Sequence, residues 1–482
     1  MAIEASRSDA TSPRGGFISL LKKFYEGNLY PALIALTVLI GYVKGIEFYL
    51  NILIVLSTSA ALIICKSAKP FLPTLFLILC QINVQHTPGI PTFSDYYITG
   101  HRLVIVIILI VILAASVGYY FFKNIAPRLS FKSPLFFAVA ALSVAFILNG
   151  AGSSEWKIGN LAMGLGEALV YFLLFYVLYY GLENMRAKEA VEYFSYLSLL
   201  VAIVLLGELA YVYLTNDRIF KDGTIIKQEI LFGWTINNPF GFQLATLIPP
   251  LMRGAMKSKR IPFVYLIAAI ATWAGAILTL SRNAWLFATL AMAICVIIAC
   301  FHAEHKKLYR VLTITALAGA AVAAILLREQ LMEKFSSVID MGFSDNGRYA
   351  LWKQAVDNFL DAPIFGKGFY GFGVTDVYIT IEFLPSMAHN TPLQLLSAMG
   401  AVGAAAYGYY RIKTLVPLFK KPSYEKVMLY LVMAVTLGAS LLDNFVFYFV
   451  NMFPYMLALA IIFKLHKEQM REARKKAGES KK

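Results

Sequence analysis

Long apolar runs, separated by short charged breaks, recur along almost the whole chain, and no other feature limits its fold so strongly. Read against turn and charge signals, they give candidate spans at roughly 29–43, 48–65, 71–84, 103–122, 134–149, 161–182, 191–214, 239–252, 262–280, 283–300, 311–327, 390–416, 427–442 and 445–463. A helical crossing of the hydrocarbon layer takes about 20 apolar residues, and only a helix satisfies its backbone hydrogen bonds within one segment. Three of the runs fall short of that, so the expectation is 12 to 14 spans, the short pieces being re-entrant or interfacial. With 59% apolar and only 15% charged residues, the chain could not stay in solution as a globular protein. The predicted fold class is all-α, a polytopic transmembrane helix bundle.

The net charge of +15 would suggest a nucleic-acid partner in a soluble domain, but its placement has a simpler cause and excludes that class. With the N-terminus cytoplasmic, 31 of the 43 basic residues fall on the cytoplasmic side, counted over alternate breaks and the Lys464 to Lys482 tail. The positive-inside bias therefore predicts both termini in the cytoplasm. The expected organisation is a cytoplasmic segment 1–28, a transmembrane domain 29–463 with a large extracytoplasmic loop 328–388, and a basic cytoplasmic tail 464–482. The first apolar run continues past Gly41-Tyr42-Val43-Lys44 without a small-residue cleavage site, which predicts an uncleaved anchor. Cys65, Cys80, Cys295 and Cys300 lie in apolar runs without metal-ligand spacing and read as packing residues.

The first half of the chain is poor in chemistry. His86 and His101 bracket a polar break and read as solvated loop residues. Glu167 and Glu208 lie inside spans, where a charge costs about 3 kcal/mol, so each is expected to face the bundle interior. Two readings stand for them: architectural pairing with a nearby Arg or Lys, or coupling carboxylates. Asn237-Asn238-Pro239 opens the next span and reads as helix-start chemistry.

The second half is richer. Arg282 lies in a tight turn between two apolar runs, with Ser281 placed to cap the helix it begins. It is either an interfacial arginine with its head in water or an anion clamp at a positive helix end. Ser344-Asp345-Asn346-Gly347 is turn chemistry, and Tyr349, Trp352, Val356, Phe359 and Leu360 recur at helical spacing, which predicts an amphipathic helix over 348–360 lying on the membrane or on the bundle. Arg348 is in its first turn, where a cation is unfavourable unless an anion is bound. Beyond Pro363, Gly366, Gly368, Gly371 and Gly373 alternate with aromatic residues, and the loop ends at His389, with Gly403 and Gly408 further on suited to close helix contacts. Asp443 falls at the same surface, placed to orient His389, to neutralise an arginine, or simply to make a turn.

These residues resemble the O-antigen ligase and O-antigen polymerase family of bacterial integral-membrane glycosyltransferases of the GT-C type. The likeness rests on Arg-x-x-x-Leu at Arg282 to Leu286, on His-x10-Gly from His389 to Gly400, and on Gly347-Arg348-Tyr349-Ala350-Leu351-Trp352 followed by Pro363 and Gly366-Lys367-Gly368. The fourteen apolar runs exceed the family's usual count, which bears on the N-terminal spans and not on the motifs.

The resemblance implies a glycan donor on undecaprenyl pyrophosphate at the outer leaflet of the bacterial inner membrane, a glycan or lipid-core acceptor, and no cofactor or metal. Carried over, Arg282 and Arg348 would hold the donor pyrophosphate and His389 would be the general base, with Asp443, Glu208 and Glu167 as possible supporting residues. Elementary chemistry agrees: a sugar hydroxyl needs a base, and a pyrophosphate leaves readily once its charge is neutralised. Metal-independent inverting transfer, by ligase or polymerase, is the expectation. The alternative is a multi-span transporter or lipid-linked glycan flippase, and the least favoured reading is a non-catalytic scaffold; apart from membrane lipids, no other partner is implied.

Overall fold

A computed structural model describes residues 13–80, 82–83, 100–154, 156–221, 223–326, 328, 348–371, 387–447 and 449–479. The turn at Ser344 to Gly347, His86 and Gly373, together with most of the 328–388 loop, lie outside the described residues. In chain order the helices are α1 (Pro13–Glu26), α2 (Leu29–Lys44), α3 (Glu47–Ile64), α4 (Phe71–Leu77), α5 (Gly100–Tyr120), α6 (Phe136–Ile147), α7 (Ile158–Ala168), α8 (Phe175–Gly181), α9 (Ala187–Thr215), α10 (Asn237–Lys257), α11 (Pro262–Leu278), α12 (Arg282–His302), α13 (Lys306–Leu326), α14 (Arg348–Asp361), α15 (Thr391–Phe419), α16 (Tyr424–Ala439) and α17 (Phe449–Glu479). Strand among the described residues is confined to β1 (Phe220–Lys221) and β2 (Thr224–Ile225), an antiparallel pair between α9 and α10. The protein is an all-α polytopic bundle.

Among the described residues five helices are long and apolar enough to cross a bilayer, or six if α1 and α2, bent by 62°, count as one span. Some expected spans are shorter. The 71–84 run yields only the seven-residue α4 and the 134–149 run the twelve-residue α6, whereas the 161–182 run forms one continuous helix, Ile158–Gly181, in which a π-helical segment, Leu169–Leu174, joins α7 to α8.

Burial separates helices that hydropathy alone does not. On α5 only Ser116 and Tyr120 are buried, so it turns its apolar surface to lipid. By contrast α10 is buried along nearly its whole length and packs against α9, α11, α12 and α16. A helix surrounded by protein needs no apolar coat, and α10 accordingly carries Gln243, Thr246, Arg253 and two internal prolines.

One end of the bundle is laced by ion pairs: Arg128 with Glu183 at 3.1 Å, Lys467 with Glu183 at 3.0 Å, and Arg253 with Glu192 at 3.7 Å and Glu425 at 3.9 Å. Two buried lysines there close helix C-termini, whose last carbonyls lack partners within the helix. The Lys426 ammonium donates to the carbonyls of Pro417 and Lys421, each at 2.9 Å, and that of Lys464 donates to the Leu182 carbonyl. The opposite end carries the mouth of α15 and the segment containing α14.

That second end is organised by a break in α15. Gly400 has φ 61° and ψ −158°, a conformation open to glycine and strained for other residues. In an unbroken helix the Ser397 and Ala398 carbonyls would accept from the N–H groups of Ala401 and Val402. Here they accept from Lys367 (2.9 Å) and Gly368 (3.0 Å), while Ala401 and Val402 donate to the carbonyls of Pro363 (2.8 Å) and Ile364 (3.2 Å). The glycine-rich loop after α14 is thereby sewn into the break. Phe369 and Tyr370 donate from their backbone to the side-chain oxygens of Asn149 (3.2 Å) and Asn160 (2.7 Å), and Gly150 donates to Phe365 (2.9 Å). Gly366 and Gly368, both at positive φ, allow the approach: a Cβ on Gly366 would lie 2.4 Å from the Ala398 carbonyl carbon.

Candidate active site

His389 stands at the mouth of α15 with φ 48°, and Asn390 caps that helix, its side-chain oxygen accepting from the Leu393 N–H at 3.1 Å. The imidazole Nδ1 lies 3.0 Å from Asp443 Oδ1, which also accepts from the Asn444 N–H at 2.8 Å. The two partners are locked together through backbone. Thr391 donates to the Ser440 carbonyl at 2.8 Å and the Asn390 amide to that of Leu441 at 3.0 Å. The aspartate side chain is 8% exposed and the histidine 28%, so the pair is covered on the carboxylate side and accessible on the imidazole side. An ionised Asp443 requires the proton on Nδ1, which puts the basic lone pair on Nε2. Of the three roles open to Asp443, it thus orients His389 and makes the turn; it does not pair with an arginine.

Arg282 begins α12 two residues after Leu280, which has φ 55°, and Ser281 between them caps the helix as expected, accepting from the Ala284 N–H at 3.4 Å. The turn is seated on α10: a Cβ on Gly241 would lie 2.6 Å from Thr279 Oγ1 and 2.7 Å from Ala284 Cβ. Phe242 stacks near Phe445 at 4.2 Å between centroids and touches Phe287, which ties the helix of Arg282 to the turn of Asp443.

Arg348 opens α14, which forms over Arg348–Asp361 where the amphipathic helix over 348–360 is expected. The face against the bundle is Leu351, Ala355 and Asn358. Leu351 and Ala355 pack on Ala388 and Leu393, and the Asn358 amide donates to Ser397 Oγ at 3.1 Å. Tyr349 and Leu360 are 65% and 66% exposed, leaving the bulkier apolar edge outward. The largest side chains mark the stripe that a membrane surface can accept, whereas close packing on α15 demands small ones. The consequence is that Arg348 is held one turn from a residue that touches Ala388, the neighbour of His389.

Sequence reasoning missed a third cation. Asn237 and Asn238 do not cap α10, whose cap position is Ile236 without a side-chain bond. Instead the Asn237 amide donates to the Lys227 carbonyl at 2.9 Å, and the Lys227 ammonium donates to Asn238 Oδ1 at 3.1 Å. Burial, followed by the nearby Arg282 and Arg348 charges, holds the Lys227 ammonium below its ordinary pKa. Lys227, Arg282 and Arg348 therefore share one electrostatic field, and among the described residues none has a carboxylate partner. The signal in the sequence was a lysine in a polar break followed by two asparagines, which also fits an ordinary loop.

Glu208 and Glu167 do not join this group. Both are fully buried in the bundle and, among the described residues, neither pairs with an Arg or Lys, so the expectation of architectural ion pairs fails. Glu208 Oε2 accepts from the Trp234 indole N–H at 2.9 Å, which pins the connection carrying Lys227 to α9. Glu167 Oε1 has no hydrogen-bond partner. Of the small residues past the break, Gly403 has Met399 of its own helix nearest to it, and Gly408 makes no close helix contact, since a Cβ there would meet nothing within 4 Å.

An apolar helix bundle with an aspartate-bound histidine and three cations that, among the described residues, have no carboxylate partner is an integral membrane protein with a basic site at one end. Residues 267–408 match the family profile described as O-antigen ligase, a segment that contains Arg282, Arg348, His389 and Gly400. That match supports the O-antigen ligase and polymerase family and, with it, a glycosyl-transfer activity in general. Lys227 and Asp443 lie outside the matched segment. No curated protein matches the sequence.

Proposed function

We propose that the protein transfers a glycan from an undecaprenyl-pyrophosphate donor to an acceptor sugar hydroxyl, as an O-antigen ligase or a repeat-unit polymerase at the outer face of the bacterial inner membrane. Both termini lie in the cytoplasm. The observation that supports the reading is the Asp443-bound His389 next to Ala388, on which the helix of Arg348 packs, with neither Arg282 nor Arg348 paired to a carboxylate among the described residues.

The acceptor hydroxyl gives its proton to His389 Nε2 as its oxygen attacks the anomeric carbon of the donor sugar. The bond from that carbon to the phosphate oxygen breaks, and the electron pair leaves with the polyprenyl pyrophosphate. Asp443 stabilises the imidazolium that forms. Arg282 and Arg348 supply the charge neutralisation that a divalent cation would otherwise provide, so transfer is metal-independent. A single displacement inverts the anomeric configuration.

Transfer assays with purified donor, in EDTA, test the reading. His389→Ala should abolish transfer with donor affinity nearly intact, because a base acts on the acceptor. Arg282→Ala and Arg348→Ala should lower both affinity and turnover. A positioned base contributes roughly 10²-fold or more, so a His389→Ala variant keeping above about a tenth of wild-type turnover would sink the assignment. Magnesium-dependent recovery from EDTA would refute the metal-free step.

A further inference from the structure

We infer that Lys227 is a third phosphate-binding cation of this site, matched to the negative charge that the polyprenyl pyrophosphate acquires when its bond to the sugar breaks. The inference rests on the donor reading above and adds a residue and a moment in the reaction to it.

The geometry comes first. Lys227 is half-buried in the connection between α9 and α10 and is held at both its ends: its carbonyl by the Asn237 amide at 2.9 Å, its ammonium by Asn238 Oδ1 at 3.1 Å. The connection itself is anchored by Trp234 on Glu208, and by Asn216, whose amide donates to the Glu229 carbonyl at 2.8 Å. The first turn of α10, which bears Asn238, packs through Gly241 on the turn that presents Arg282. So the ammonium is placed, not tethered on a loose stem. Asn238 takes one of its three protons, and an asparagine oxygen, being neutral, leaves the charge uncompensated.

Six other basic residues, Arg128, Arg186, Arg253, Lys353, Lys367 and Lys467, have a carboxylate within ion-pair range. Among the described residues Lys227, Arg282 and Arg348 have none, and cations that repel one another cost stability unless an anion arrives. Burial first, and the two guanidinium groups after it, lower the Lys227 pKa.

Charge arithmetic then separates the roles. Each phosphate of a glycosylated pyrophosphate donor carries one negative charge, which the two arginines match. Cleavage of the sugar–oxygen bond leaves one more, and Lys227 matches that. Such a cation stabilises the departing pyrophosphate more than the intact donor, which raises turnover more than it tightens donor binding.

The test uses the full-length protein in detergent and two probes, undecaprenyl pyrophosphate and undecaprenyl monophosphate. Binding of each is measured for wild type, Lys227→Met, Lys227→Arg and Arg282→Ala, along with the thermal midpoint of each ligand-free variant. Lys227→Met should weaken pyrophosphate binding about tenfold or more, the scale of one charge-assisted hydrogen bond, and monophosphate binding by less than about threefold. Lys227→Arg should bind pyrophosphate within about threefold of wild type, since the charge is kept. The ligand-free Lys227→Met protein should be no less stable than wild type, because a repelling charge is gone. If Arg282→Ala weakens binding and Lys227→Met does not, the Lys227 inference falls and the donor reading stands. If neither weakens it, the donor reading itself falls. A destabilised Lys227→Met that loses both ligands equally would make Lys227 a loop clamp and overturn the inference.

Discussion

Gly400→Ala tests how the site is held together. The added Cβ would sit 2.5 Å from the carbonyl carbon and oxygen of Ile364 and 2.7 Å from the Gly366 nitrogen, all backbone atoms that cannot rotate aside. Keeping the present geometry would also place alanine at φ 61°, ψ −158°, at about 1–3 kcal/mol of strain before any clash. The cheaper response is for α15 to close its break and expel the loop. That forfeits the four backbone bonds joining 363–368 to 397–402 and recovers two helical ones. At about 0.5–1.5 kcal/mol each, the net loss of two bonds costs roughly 1–3 kcal/mol, less than the strain and the backbone clash together, so the loop should be detached in most molecules. Arg348 would then lose its register against His389, and turnover should fall about tenfold to a hundredfold, with donor affinity reduced and a lower thermal midpoint. Gly408→Ala is the matched control, since its Cβ meets nothing within 4 Å and alanine favours helix. Turnover and thermal midpoint of Gly400→Ala indistinguishable from those of Gly408→Ala would refute the argument.

Other consequences are quicker to state. Asp443→Asn keeps an acceptor for His389 Nδ1 but removes the charge facing the imidazolium, so turnover should drop about tenfold or more at unchanged donor affinity; full turnover would reduce Asp443 to a turn residue. Glu208→Gln retains an acceptor for the Trp234 N–H and should remain active, whereas Glu208→Leu strands a buried donor and should cost about 1–3 kcal/mol in thermal unfolding. A folded but inactive Glu208→Gln would return that carboxylate to the chemistry. Single cysteines introduced at Ser337 and Ser480 and labelled from outside intact cells should react at the first position only, and labelling of Ser480 alone would invert the topology.

The residues proposed to do the chemistry can be picked out in the chain by their own identity. Arg282, Arg348 and His389 stand out because a cation or imidazole at a helix mouth between apolar runs has few bland explanations, and Ser281 announces its cap by type and position. The amphipathic helix of Arg348 was legible as a period, yet its inward face was not. Periodicity ranks side chains by size and apolarity, whereas contact with α15 selected the small Leu351 and Ala355 and left Tyr349 and Leu360 outside.

What depended on distant segments meeting was out of reach. Asn237 and Asn238 carry the types of a helix cap, and only the return of the α9–α10 connection makes them the holders of Lys227. Glu208 looked like a charge in search of a base until Trp234, 26 residues on, supplied an N–H instead. The sequence by itself determined a helical membrane bundle, since apolar runs of that length have one way to satisfy their backbone in lipid. Only the tertiary structure decided that α15 breaks at Gly400 to take in a loop, because a glycine permits that conformation without requiring it, and the requirement lies in carbonyls and N–H groups more than 30 residues away in the chain.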